Sequence, residues 1–128
     1  MFPVQQGFSG FAPRAFVRKF PKAHITLTRR WAKFPKTAQL DPTDPLFQTF
    51  GSLFLQTQKA LLGDYGFYAA DPFHESKPTV RGEAYLNAVG QAIFTLLHDF
   101  NPQSVWVMQS WSLRDPIMKA VPKEHLLI

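Results

Sequence analysis

The chain has 128 residues, 45% of them hydrophobic and 18% charged, and no cysteine, a balance that suits one small globular domain and excludes a disulfide framework or a thiolate zinc site. That length is about half of what a complete (β/α)8 barrel needs, roughly 250 residues. No apolar run approaches the ~18 residues of a membrane span, and Met1 to Gly7 lack the charged and apolar regions of a signal peptide, so a soluble chain is expected and its compartment stays open.

The formal net charge of +5 is unevenly spread: eight of the fourteen Lys and Arg, and none of the nine acids, precede Asp41, so this segment carries +8 and the remainder −3. Its bases, Arg14, Arg18, Lys19, Lys22, Arg29, Arg30, Lys33 and Lys36, are interleaved with Phe16, Phe20, Trp31 and Phe34. Such a face can meet nucleic acid, a membrane surface or an acidic polysaccharide, or it can simply be solvated and balanced by acids elsewhere.

In chain order, Pro13 to Phe20 reads as a short helix, His24 to Thr28 as a strand or extended segment, and the Pro-rich stretch from Phe34 to Pro45 as a barrel loop. Asp44 is a natural N-cap with Pro45 at the first helical position. From there Leu46, Phe47, Phe50, Leu53, Phe54, Leu61 and Leu62 form one broad apolar stripe at a 3.6-residue period, and Gly63 is placed to stop the helix. Phe67 to Ala70 is a short apolar run whose length suits a strand buried on both faces. A second helix is expected from about Gly82 to Asp99, with Tyr85, Val89, Ala92, Ile93, Leu96 and Leu97 on one side and Asn101-Pro102 as its stop. Val105 to Met108 repeats the buried-strand pattern, and His125 to Ile128 resembles a strand that has only begun. This alternation predicts a parallel pair of strands with a right-handed crossover. With no internal repeat, low-complexity tract or linker, residues 1–128 read as one α/β unit, a slice of a barrel.

Barrel enzymes keep their catalytic groups on loops leaving the C-terminal ends of the strands, and Asp71-Pro72-Phe73-His74-Glu75 leaves the first of these buried strands. Trp106, in mid-strand, reads as core, whereas Trp111 follows a strand end and suits either a sugar face or burial. The four histidines have no metal-ligand spacing, so no metal is expected, and His98 sits where it can meet a helix dipole. Gly7 and Gly10 do not fit a dinucleotide fingerprint, and no cofactor is expected.

The order Met1-Phe2-Pro3-Val4, Gly7-Phe8-Ser9-Gly10, Pro13, Phe20-Pro21, Trp31, Asp44-Pro45-Leu46-Phe47, Ala70 to Glu75, Ala84-Tyr85-Leu86 and Val105 to Trp111 resembles the middle of the alpha-N-acetylglucosaminidase family, glycoside hydrolase family 89. The resemblance implies a partial (β/α)8 TIM-type barrel and a glycan substrate with terminal alpha-linked N-acetylglucosamine, heparan-type chains included, cleaved with retention. It implies that Glu75 is the general acid/base and that Trp31, Gln109 and Trp111 line the sugar pocket. His74 stands where the family usually has an Asn that helps hold the sugar's substituent, and Ser110 replaces a Gly. The family's nucleophilic carboxylate lies beyond Ile128. A retaining glycosidase needs two carboxyl groups about 5 Å apart. Asp71 suits turn formation, Asp115 suits capping of the segment after Trp111, and Glu124 precedes a strand on the opposite face, so none is a good second group. The expectation is therefore a chain inactive alone, needing the remainder of the barrel, with no nucleic-acid partner and no membrane span. The alternative is a non-catalytic module that binds polyanions through the basic N-terminal segment.

Overall fold

The computed structural model describes residues 3–74, 76–110 and 113–128. Four strands, β1 (Gln5–Gln6), β5 (Phe67–Ala69), β6 (Val105–Val107) and β7 (Leu126–Leu127), form a parallel sheet in that order, with Gln5 opposite Tyr68, Tyr68 opposite Trp106 and Trp106 opposite Leu126. Spatial order follows chain order without reversal, as in a barrel wall and unlike a doubly wound sheet. The wall is open, with β1 and β7 at its edges.

Two 18-residue helices, α2 (Pro45–Leu62) and α3 (Glu83–Phe100), flank the sheet. The Asp44 carboxylate starts α2, accepting from the Leu46 N–H at 2.9 Å through one oxygen and from the His24 N–H at 2.8 Å through the other. One side chain thus caps the helix and ties it to β3 (Ile25–Leu27). Gly63 ends the helix at φ 82°, a left-handed value natural to glycine. Helix α3 has no side-chain cap at Gly82, carries Glu83 in its first turn, and ends with His98 in its last turn and Asn101 as C-cap. It packs against α2 and the short α4 (Asp115–Lys119). The core lies between helices and sheet, where Trp106, Tyr68, Phe47, Leu55, Val89, Ile93 and Leu97 are almost wholly enclosed. The Trp106 indole N–H donates to the Ala70 carbonyl at 2.8 Å, so the buried ring leaves no polar atom unpaired.

Three expectations need correction. The stretch from Phe34 to Pro45 is not all loop: β4 (Ala38–Leu40) lies inside it and pairs antiparallel with β2 (Phe11–Ala12) and β3. The apolar stripe of α2 is narrower than the periodicity suggested, because Leu53, Phe54, Leu61 and Leu62 are exposed while Phe47, Gly51 and Leu55 face the core. A Cβ at Gly51 would stand 2.4 Å from a Leu96 methyl, so a larger residue there requires the Leu96 side chain to move. Asp115 is not a cap: Arg114 holds that position, and Asp115 lies in the first turn of α4. The expected Pro13–Phe20 helix is present as α1 (Phe16–Lys19). Among the described residues, no helix is long and apolar enough to cross a membrane.

Removal of the double contact at Asp44 by Asp44→Ala should lower stability by about 1–2 kcal/mol, read as a lower midpoint in urea with an unchanged slope. Leu61 and Leu62, 77% and 64% exposed, together with the two open sheet edges, should make the chain bind hydrophobic dye and self-associate. A soluble monomer that ignores the dye would contradict an open wall.

Candidate active site

The loops that leave β5 and β6 emerge side by side, because these strands are parallel neighbours in register. Ala70 is fully buried at the end of β5, and the following Asp71 is half-buried while Pro72 and Phe73 are buried. The Pro72 carbonyl anchors this loop: Gln39 of β4 donates to it from Nε2 at 2.6 Å, and the Ser76 hydroxyl donates at 3.0 Å. Gln39 is itself buried, so its amide depends on these partners, Pro72 and, at 3.5 Å, the Ser9 carbonyl. On the other side, the Gly7 N–H donates to the Ala69 carbonyl at 2.7 Å, and a Cβ at Gly7 would meet Ala69 and Ala70 at 3.0 Å.

Asp71 is more than a turn former. Its carboxylate accepts the backbone N–H of Gln109 from the β6 exit and faces His74. Burial pushes its pKa up, while His74 and the Gln109 bond pull in the opposite direction and do not cancel the burial. Beneath it, a cavity of about 20 Å³ is lined by Ala70, Asp71, Phe73, His74, Met108 and Arg114 among others. The Arg114 guanidinium lies over the Phe73 ring, 5.7 Å from its centroid, and its buried Nε has no hydrogen-bond partner among the described residues.

His74 and Gln109 therefore stand at one C-terminal edge with Asp71. Trp31 belongs to a different element, the hairpin between β3 and β4, where it shares a groove with Ser76. Glu75 and Trp111 lie outside the described residues. Gln39, Asp71 and Arg114 were not expected in the site; of these, only Asp71 carried a visible signal, its place at a strand end. Among the described residues, no group of three or more metal-ligating side chains stands together.

A family model described as the alpha-N-acetylglucosaminidase TIM-barrel domain matches residues 1–128. The chain is 30% identical over 143 aligned residues to human alpha-N-acetylglucosaminidase, covering all of the chain and 19% of the human protein. It superposes with a TM-score of 0.82 and 25% identity on a family 89 glycoside hydrolase from Clostridium perfringens in complex with PUGNAc, covering 98% of the chain and 15% of that protein. The same enzyme in complex with 2-acetamido-1,2-dideoxynojirmycin matches equally, with a TM-score of 0.82. The chain thus spans about a fifth or less of the length of these relatives.

The raised Asp71 pKa has a stability signature. A carboxyl whose folded pKa lies above its unfolded value favours the fold while protonated, and that contribution fades as pH rises through the folded pKa. Asp71→Asn keeps an acceptor for the Gln109 N–H and removes the charge. The variant should therefore gain stability relative to the parent as pH rises above the unfolded carboxyl value of about 3.9. A stability difference independent of pH would mean that burial does not penalise the Asp71 charge.

Proposed function

The chain belongs to the alpha-N-acetylglucosaminidase family, and we propose that it forms part of a retaining glycosidase that releases terminal alpha-linked N-acetylglucosamine from glycans, heparan-type chains among them. The family match along the full 128 residues carries this reading, supported by the side-by-side exits of β5 and β6. Glu75, next after His74, is the general acid/base. Trp31, His74, Gln109 and Trp111 serve the sugar, with the His74 imidazole replacing an amide as the group that meets its substituent.

Retention requires a second carboxylate about 5 Å from the first, as nucleophile. Asp71 is the acid nearest to Glu75 in sequence and is poorly suited. Its pKa is raised by burial, which favours the protonated, non-nucleophilic form, and it is bonded to the Gln109 backbone. Asp115 lies in the first turn of α4. Glu124 precedes β7 at the opposite, N-terminal edge. The nucleophile therefore comes from the remainder of the barrel, and the 128 residues alone do not turn over substrate. Two carboxylates suffice for the chemistry, so no cofactor takes part.

The isolated chain should show no hydrolysis of an aryl alpha-N-acetylglucosaminide. Extended by the remaining barrel, it should be active, and Glu75→Gln should lower kcat/KM by about 10²- to 10⁴-fold for poor leaving groups, with a smaller loss for activated aryl glycosides. Turnover by the 128 residues alone would refute the need for an outside nucleophile. An extended enzyme indifferent to Glu75→Gln would refute the assignment of the acid.

A further inference from the structure

The histidines stand far apart in the sequence, but the fold brings two of them into contact. His98 lies in the last turn of α3, and His125 ends the short turn Lys123–His125 that leads into β7. Their rings meet at a centroid separation of 5.3 Å and an interplanar angle of 83°. Phe94, one helical turn before His98, stands 5.3 Å from each imidazole, so the three rings form a closed triangle.

The two imidazoles are held differently. The His125 Nδ1–H donates to the Ser104 carbonyl at 2.7 Å. A carbonyl only accepts, so the proton of the neutral ring sits on Nδ1 and Nε2 keeps a bare lone pair. Ser104 is itself buried, which fixes the acceptor and with it the ring. A backbone carbonyl that holds one imidazole nitrogen in this way is what orients the other toward a metal ion. His98 is half-buried and makes ring contacts but no hydrogen bond among the described residues, so its ring can turn.

The separation fits a shared ion. With Zn–N bonds of about 2.0–2.1 Å and tetrahedral angles, two ligating imidazoles have centroids about 5 Å apart. The 5.3 Å found here leaves rotation of the His98 ring, which no hydrogen bond opposes, as the main adjustment.

We propose that His98 and His125 form a binding site for a divalent ion that prefers nitrogen ligands, Zn²⁺ above all, with water in the remaining positions. Imidazole suits Zn²⁺, Cu²⁺ and Ni²⁺, whereas Mg²⁺ and Ca²⁺ take oxygen. Phe94 walls one side of the pair against water. The bound ion ties the end of α3 to the start of β7 and closes the intervening chain that holds β6 and α4. Strand β7 has two residues and pairs with β6, so a clip beside His125 strengthens the most weakly held strand of the sheet. Both histidines lie toward the N-terminal edge, away from the loops that carry His74 and Gln109. The site is therefore a structural clip, and it goes beyond the glycosidase reading: ion binding is measured without turnover, so either can fail alone.

The test is calorimetric titration of the 128-residue chain with zinc chloride, with magnesium chloride as the oxygen-preferring control. Zn²⁺ should bind saturably and raise the urea midpoint, and Mg²⁺ should do neither. His98→Gln and His125→Gln should each weaken Zn²⁺ binding about tenfold or more. His24→Gln, remote from the pair, should leave it unchanged. His125→Gln gives up the bond to Ser104 and can disturb the turn, whereas His98→Gln loses no hydrogen bond, so the latter decides the outcome where circular dichroism shows that the former has lost the parent fold. The proposal is overturned by any of three results: Zn²⁺ binding that persists in His98→Gln/His125→Gln, which marks an adventitious ion only; an equal loss in His24→Gln; or no saturable Zn²⁺ binding by the parent chain.

Discussion

The hydrogen bond from the Gln39 amide to the Pro72 carbonyl, 2.6 Å long and buried, joins the two sheets of this chain. A proline carbonyl in that position has no strand partner, and a glutamine within a fully enclosed strand has no water. Each removes the desolvation cost of the other. Their pairing fixes the small antiparallel sheet above the C-terminal edge of the parallel one. The position of the aromatic hairpin and the course of the Asp71 loop both follow from it. Ser76 accommodates the same carbonyl from the loop's far side, so this single oxygen determines how the β5 exit begins and returns.

Carboxylates carry much of the remaining order, and Asp44, Asp41 and Asp64 serve structure. Asp44 caps α2 and holds His24. Asp41 accepts from the Thr43 N–H and hydroxyl and from the Tyr85 hydroxyl, which burial and this carboxylate together push up to about 12. Asp64 accepts from the Tyr68 hydroxyl, the Gly66 N–H and the Asn101 amide, binding the start of β5 to the end of α3. Hydrogen bonds to a charged partner are each worth about 1.5–3 kcal/mol. These three acids are structural nodes, and Asp71, bonded to the Gln109 backbone, extends that pattern to the edge of the site.

Both long helices and both central strands were legible because their signals are local: Asp44-Pro45 and Gly63 bracket α2, and apolar runs of four residues mark β5 and β6. Strands β1 and β2 were not legible, since two residues such as Gln5-Gln6 or Phe11-Ala12 carry no alternation. Strand β4 was hidden for another reason. Ala38-Gln39-Leu40 is buried on every residue, but Gln39 looks solvated and Pro35 and Pro42 on either side signal loop; only the distant Pro72 carbonyl explains why a glutamine can be there. The stripe of α2 was overread because periodicity shows which residues share a face and not how far along the helix a partner extends. Leu55 meets the core, while Leu61 and Leu62, two turns later, do not. In the site, strand-end placement brought His74 and Gln109 to one edge, but Arg114 enters from α4's N-cap, a contact no spacing reveals.

The two edges of the parallel sheet have opposite characters. At the N-terminal edge, Asp64, Tyr68 and Asn101 form a closed network, and the His125 imidazole pairs with the Ser104 carbonyl at 2.7 Å while its ring packs against His98 and Phe94. These groups are bonded or packed internally and shaped for stability. At the C-terminal edge, the exits carry exposed Gln109 and Ser110, a half-buried acid whose charge is penalised, and an arginine nitrogen without a partner among the described residues. A fold that closes one edge internally and brings exposed polar side chains to the other places them where barrel enzymes do their chemistry.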